Sequence, residues 1–141
     1  MIEAQQVMYT HFTEAEAEWR WIYFEPKEMR CTCCGKLLVV SEFMDRLQAL
    51  RGAYDLPMIV TSGYRCPDYN EKISTTGRSG VHTKGRAVDI KVNGESAWDL
   101  VRYAMTYEVR GIGIKLRGPH NARFVHLDDD PARQKPIMWS Y

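Results

Sequence analysis

Gly80-Val81-His82-Thr83-Lys84-Gly85-Arg86-Ala87-Val88-Asp89 is the stretch on which the reading of this chain turns. Its second half runs on through Ile90, Lys91 and Val92 with alternating character, which predicts a strand over about 87–92. Asp89 then stands between Val88 and Ile90, and a carboxylate in so apolar a strand has to be paired or bound to a metal. His82 precedes it across a loop in which Gly85 permits a tight bend. Ala87 shares the face of Asp89 and leaves room beside it. Farther on, Phe124-Val125-His126-Leu127-Asp128 reads as another strand, with His126 and Asp128 on one face. His82, Asp89 and His126 are side chains of zinc-ligand type. A tetrahedral ion held by three protein groups keeps a fourth position for water or substrate, the arrangement of catalytic zinc.

The chain has 141 residues, the size of one domain, with residues 1–23 expected to pack on it as an N-terminal extension. Hydrophobic residues make up 45%, charged residues 26%, and the net charge is +1, which excludes a strong nucleic-acid footprint. No apolar run reaches the roughly 18 residues that would span a membrane, so no membrane insertion is expected. Met1-Ile2-Glu3-Ala4-Gln5-Gln6 lacks a basic start followed by an apolar core, so the expectation is cytoplasmic synthesis without a signal peptide. A monomer is expected.

Working outward, Thr13 and Glu16 form a capping-box pattern that predicts a short helix. The dense aromatic run Trp19, Trp21, Tyr23 is expected to pack as core or cover. Ser41 predicts a capped helix over about 42–54, with Phe43, Leu47, Leu50 and Tyr54 on one apolar face. Leu56-Pro57 is expected to end it, and Met58-Ile59-Val60-Thr61 reads as a short buried strand. Pro67 suits the first turn of a helix running to Ile73, followed by a loop over 74–86. Asn93-Gly94 reads as a turn, and Ser96 as the cap of a helix over about 97–107 with Leu100, Val101, Ala104 and Met105 inward. Gly111–Ile114 and Arg123–Asp128 complete the strands, joined through a turn at Gly118-Pro119-His120-Asn121. Trp139 and Tyr141 add an edge strand or dock on the surface. The interspersed elements predict an α+β fold with a small, mainly antiparallel sheet flanked by helices.

Of four cysteines, Cys31, Cys33 and Cys34 crowd together, and Cys31 and Cys34 have the two-residue gap of a zinc knuckle. A structural ion needs two more ligands, and Cys66 is the one other obvious thiol. The pattern is half of such a site, so the favoured reading is reduced, buried thiols, with a disulfide from Cys66 to the cluster as another alternative. Asp128-Asp129-Asp130 lacks the glycine and distal glutamate of a calcium loop and reads as an acidic strand end.

His82-Thr83-Lys84-Gly85-Arg86-Ala87-Val88-Asp89 resembles the H-x-x-G-x-A-x-D signature of the M15 zinc peptidases. Ser62-Gly63-Tyr64-Arg65-Cys66-Pro67, with Asn70 after it, resembles that family's S-G-Y-R stretch, and Phe124–Asp128 its final V-H-x-D strand. The likeness runs over residues 24–141 in the same order, and is strongest to the D-alanyl-D-alanine carboxypeptidase-like branch, whose fold the hedgehog signalling domain shares. It implies one catalytic Zn2+ on His82, Asp89 and His126, and an Arg65 that stabilises charge on substrate or transition state. It further implies hydrolysis of peptidoglycan stem peptides, by a D,D-carboxypeptidase or an L-Ala-D-Glu or D,D-endopeptidase. By analogy the enzyme would serve phage or prophage lysis and reach the wall through a holin.

Two positions depart from the resemblance. Gly80 replaces a serine common two residues before the first histidine, and Arg123 stands where several members carry a proton-accepting acid. The remaining candidates for the base are Asp128 and His120, although Asp128 can instead orient His126. His11 has no partner visible in the sequence. The missing acid keeps open an alternative, a non-catalytic zinc-containing binding or structural module on the same fold.

Overall fold

Leu37, Val39 and Val40 enter the same core that Phe43, Leu47, Leu50 and Tyr54 reach from the helix that follows, because that helix carries its apolar residues three and four apart. The computed structural model describes residues 5–141. In chain order the elements are β1 (Gln6–Tyr9), α1 (Pro26–Met29), β2 (Leu37–Val40), α2 (Ser41–Tyr54), β3 (Val60–Ser62), α3 (Pro67–Ile73), β4 (Ala87–Lys91), α4 (Gly94–Thr106), β5 (Gly111–Lys115), β6 (Phe124–Asp128) and β7 (Ile137–Ser140). Short 3-10 turns lie between them. The fold is α+β, as the interspersed pattern predicts. None of the described helices is long and apolar enough to cross a membrane.

The main sheet has the order β3-β4-β6-β5-β7, antiparallel throughout except for the parallel pair β5–β7. Alternation divides its faces. Val88, Ile90, Ile112, Val125 and Leu127 turn to the core, where Leu100 and Ala104 of α4 also lie. Asp89, His126 and Asp128 therefore point to the other face. Asp89, His126, Gly113 and Trp139 align in one row across four strands. Ala87, Asp128, Gly111 and Ile137 form the row two residues along. The glycines make room: a Cβ at 113 would stand 2.6 Å from Trp139 Nε1, and one at 111 would stand 2.6 Å from the Asp128 carboxyl carbon. The tail thus forms an edge strand that lays Trp139 across Gly113, with its ring centroid 5.2 Å from that of His126.

Several local expectations are corrected. The early helix is a 3-10 segment, Phe12–Glu18, capped by His11, whose Nδ1 lies 2.8 Å from Thr13 Oγ1 and accepts from the Thr13 amide. Thr13 is thereby taken up by His11, and His11 has a partner after all. Gln6–Tyr9, within the segment read as an extension, is a strand paired with β2. Helix α2 starts on Ser41 with Val40 at the cap and no side-chain cap bond, and it ends where Asp55 takes a left-handed conformation. Strand β3 begins at Val60 and, as a sheet edge, is only partly buried. Asn93-Gly94 is no hairpin turn. Asn93 accepts from the Ser96 amide at 2.8 Å while Ser96 Oγ accepts from the Asn93 amide at 2.9 Å, so the helix opens at Gly94. With that start, Met105 turns outward and is 59% exposed.

Candidate metal centre

A 3-10 turn over Val81–Lys84 places His82, and Gly85 closes it with φ 68°, a left-handed conformation that the residue's missing Cβ allows. The His82 ring is fixed at its far side, with Nδ1 2.7 Å from the Gly63 carbonyl oxygen. A carbonyl only accepts, so Nδ1 carries the proton and Nε2 keeps its lone pair. That Nε2 lies 3.3 Å from Asp89 Oδ1. The same oxygen lies 3.1 Å from His126 Nδ1. The other nitrogen of His126, Nε2, is 2.7 Å from Asp128 Oδ2, which directs its proton away from the cluster.

The donor set passes a simple test of fit. With metal–ligand lengths of about 2.0–2.1 Å, neighbouring ligand atoms on a tetrahedral zinc stand roughly 3.3 Å apart. The two measured separations match that edge, and all three donor atoms lie within 4.8 Å of one another. The residues are buried, at 6%, 5% and 3% exposure. They lie on the wall of a cleft of about 720 Å³, shared with Arg65, Lys115, Arg117 and Arg133.

Without an ion, the carboxylates and imidazoles of the cluster compensate one another's charge. Burial opposes charge on Asp89, yet hydrogen bonds and proximity to His126 and His82 hold its carboxyl well below the usual carboxylate range. Burial likewise works against a charged His126, but Asp128 and Asp89 together hold its pKa above the ordinary value. Arg65 completes the cluster. Its Nη2 donates to Asp89 Oδ2 at 3.0 Å, its Nε to Ser62 Oγ at 2.8 Å and its Nη1 to Asn70 Oδ1 at 3.1 Å.

The sequence profile described as Peptidase M15 matches residues 22–128, three quarters of the chain, including His82, Asp89, His126 and Arg65. The chain belongs to the peptidase M15 family. Over 92 residues it is 34% identical to the peptidoglycan L,D-endopeptidase MepK of Escherichia coli (strain K12), a match covering 62% of this chain and 48% of that protein. The protein of the same name in Shigella flexneri gives the same figures. This M15 chain spans about half the length of the curated relatives it matches. M15 peptidases are zinc-dependent, and His82, Asp89 and His126 form a group able to hold an ion.

The two sequence candidates for a proton acceptor sit very differently in this M15 chain. Asp128 is fully buried and outside the cleft lining. Its oxygens accept from His126 Nε2, from Arg133 Nε and Nη2 at 2.9 Å each, and from the Asp130 amide at 3.1 Å. Burial raises its pKa, but His126 and Arg133 outweigh it and hold the group well below the carboxylate range. His120 lies on an exposed turn, His120–Ala122, and is not part of the cleft wall. Arg123 donates from Nε and Nη2 to the Gly118 carbonyl at 3.2 and 3.1 Å, bracing the connection between β5 and β6.

Sequence reasoning missed Arg133, whose guanidinium grips Asp128 and lies 5.1 Å from the Trp139 ring centre. It also missed the cationic wall made by Lys115 and Arg117, and Tyr141 beside them. Arg133 carried only a weak signal, a basic residue five positions after Asp128, the acid that ends β6.

Gly80, one of the two departures from the resemblance, sits where a side chain would not fit. A Cβ there would overlap Thr76 Oγ1 and stand 2.6 Å from Asn70 Nδ2. Asn70 is fully buried and supports Arg65, donating through Nδ2 to Thr76 Oγ1 and to the Gly77 carbonyl. Restoring the familiar residue with Gly80→Ser is therefore expected to destabilise the fold by about 1–3 kcal/mol through overpacking. A urea melt of both proteins checks it, and an unchanged midpoint counts against the contact.

Proposed function

We propose that this chain is a zinc-dependent metallopeptidase that hydrolyses peptide bonds within peptidoglycan stem peptides. The observation that carries the reading is the buried triad of His82 Nε2, Asp89 Oδ1 and His126 Nδ1, with separations suited to one tetrahedral ion and a fourth position left for chemistry. Similarity to relatives named peptidoglycan L,D-endopeptidase favours an endopeptidase over a carboxypeptidase.

When bound, zinc supplies Lewis acidity toward a scissile carbonyl and toward water. The chain's own residues do the rest. Gly63 and Asp128 fix the two histidine tautomers so that each ring offers a lone pair. Arg65, held by Ser62, Asn70 and Asp89, keeps a fixed positive charge at the cleft wall, where it stabilises negative charge developing on the carbonyl oxygen. Lys115 and Arg117 add positive charge along the cleft, which suits a carboxylate-bearing peptide. We assign Asp128 the task of orienting His126, since its lone pairs are already engaged.

A second reading, a zinc-holding binding module, draws on one observation: among the described residues lining the cleft, the one carboxylate is Asp89, itself a proposed ligand. One experiment separates the two. Zinc-loaded protein is incubated with purified peptidoglycan, and released amino groups and fragment masses are followed. The peptidase reading expects products that vanish on chelation and return with added Zn2+. Undiminished hydrolysis by zinc-free protein overturns it, and chelator-insensitive wall binding without products supports the module.

A further inference from the structure

None of the four cysteines lines the cleft, and the proposed reaction uses none of them. Their placement does not suit the packing role expected for buried thiols, because Cys33 and Cys34 are exposed and only Cys31 is fully buried. Cys31, Cys34 and Cys66 nonetheless converge, with their sulfurs within 4.8 Å of one another. Cys33, between Cys31 and Cys34 in sequence, is exposed and stands outside that group.

We infer that Cys31, Cys34 and Cys66 bind a structural zinc ion as three of its four ligands. A zinc ion with Zn–S bonds of about 2.3 Å spaces its sulfurs roughly 3.8 Å apart, inside the limit that these three already meet. A disulfide would occupy two of three converging thiols and leave the third beside it without a role.

The backbone is shaped as a knuckle. Gly35 takes φ 77°, the Gly35 amide donates to the Cys31 carbonyl and the Cys31 amide to the Lys36 carbonyl, each at 2.8 Å. Amides also aim at sulfur: the Cys66 amide donates to Cys31 Sγ at 3.3 Å and the Tyr69 amide to Cys66 Sγ at 3.4 Å. Donors turned toward sulfur suit the negative charge of metal-bound thiolates.

The site would tie the 31–34 loop to the turn that carries Arg65, next to Cys66. The two segments already meet there, with the Tyr64 amide donating to the Met29 carbonyl at 2.9 Å, and Gly63 so close that a Cβ would lie 2.7 Å from the same oxygen. The zinc would thus brace Arg65 and the Gly63 carbonyl that orients His82.

The test uses the whole chain, prepared under reducing conditions and loaded with Zn2+ or Co2+. Two zinc equivalents per chain are expected, falling to one in His82→Ala and to one in Cys31→Ser/Cys34→Ser. The Co2+ form should show an intense near-ultraviolet thiolate-to-cobalt band. His82→Ala keeps the band and the cysteine variant loses it, since the cleft triad contains no sulfur. The spectrum of the unmutated chain suffices if the cysteine variant fails to fold. Absence of the band in that chain, or one zinc equivalent together with a disulfide among these cysteines in the unreduced protein, overturns the inference. Failure of peptidoglycan hydrolysis would leave the band untouched, so the two proposals stand or fall separately.

Discussion

Asp89→Ala is expected to remove zinc from the cleft triad and to cut peptidoglycan hydrolysis by at least about 10³-fold, since both Lewis acidity and activation of water depend on the ion. The size of the effect follows from the residue's position as a hub. One oxygen contacts His82 and His126, and the other accepts from Arg65. The remaining two histidines make too poor a donor set for tight zinc binding. Arg65 loses its charge partner but keeps Ser62 and Asn70, so the sheet should stay folded. Metal analysis gives the loss of one equivalent, amino-group release gives the rate, and far-ultraviolet circular dichroism checks the fold. A variant that is folded, binds zinc in the cleft and remains active would refute the assignment.

Asp128→Asn separates orientation from acid–base chemistry. If Asp128 holds the His126 tautomer, the substitution weakens zinc affinity at the cleft by about 10–100-fold, the range for partners behind a metal ligand, and excess zinc restores much of the activity. If Asp128 were the proton acceptor, kcat would fall with zinc affinity unchanged and added metal would rescue nothing. Zinc competition with a chromophoric chelator, paired with kinetics at saturating metal, distinguishes the outcomes. Asp128→Ala is the harsher change. It strips the carboxylate from both His126 and Arg133 and is expected to cost about 3–5 kcal/mol, toward the lower figure because Arg133 is 26% exposed.

The shape of the sheet explains why these effects concentrate in so few residues. Asp89 and His126 are direct neighbours in the β4–β6 register, and Gly113 and Gly111 leave the space that Trp139 and Asp128 occupy. A one-residue slip of β6 would turn His126 into the core and Leu127 into the cleft. The alternation Phe124-Val125-His126-Leu127-Asp128 excludes that slip, because Val125 and Leu127 are the residues the core side must bury.

The sequence by itself determined the parts that depend on near neighbours. Alternation made 87–91 and 124–128 strands, spacing of apolar residues made 41–54 a helix, and Pro67 opened 67–73. An aspartate inside an apolar strand, with histidines in two separate motifs, was enough to single out the three residues that converge as a group able to hold an ion. Local competition between caps defeated finer readings: Asn93 and Ser96 bond each other as readily as a turn would use Asn93-Gly94. What only the tertiary structure decided were the distant pairings. Arg133 closes on Asp128, Trp139 crosses Gly113 to reach His126, and Cys66 joins Cys31 and Cys34. The physical reason is that no periodicity along the chain encodes which side chains meet after the strands align. The register of β4, β6, β5 and β7 sets those meetings, and the space left by two glycines makes room for them.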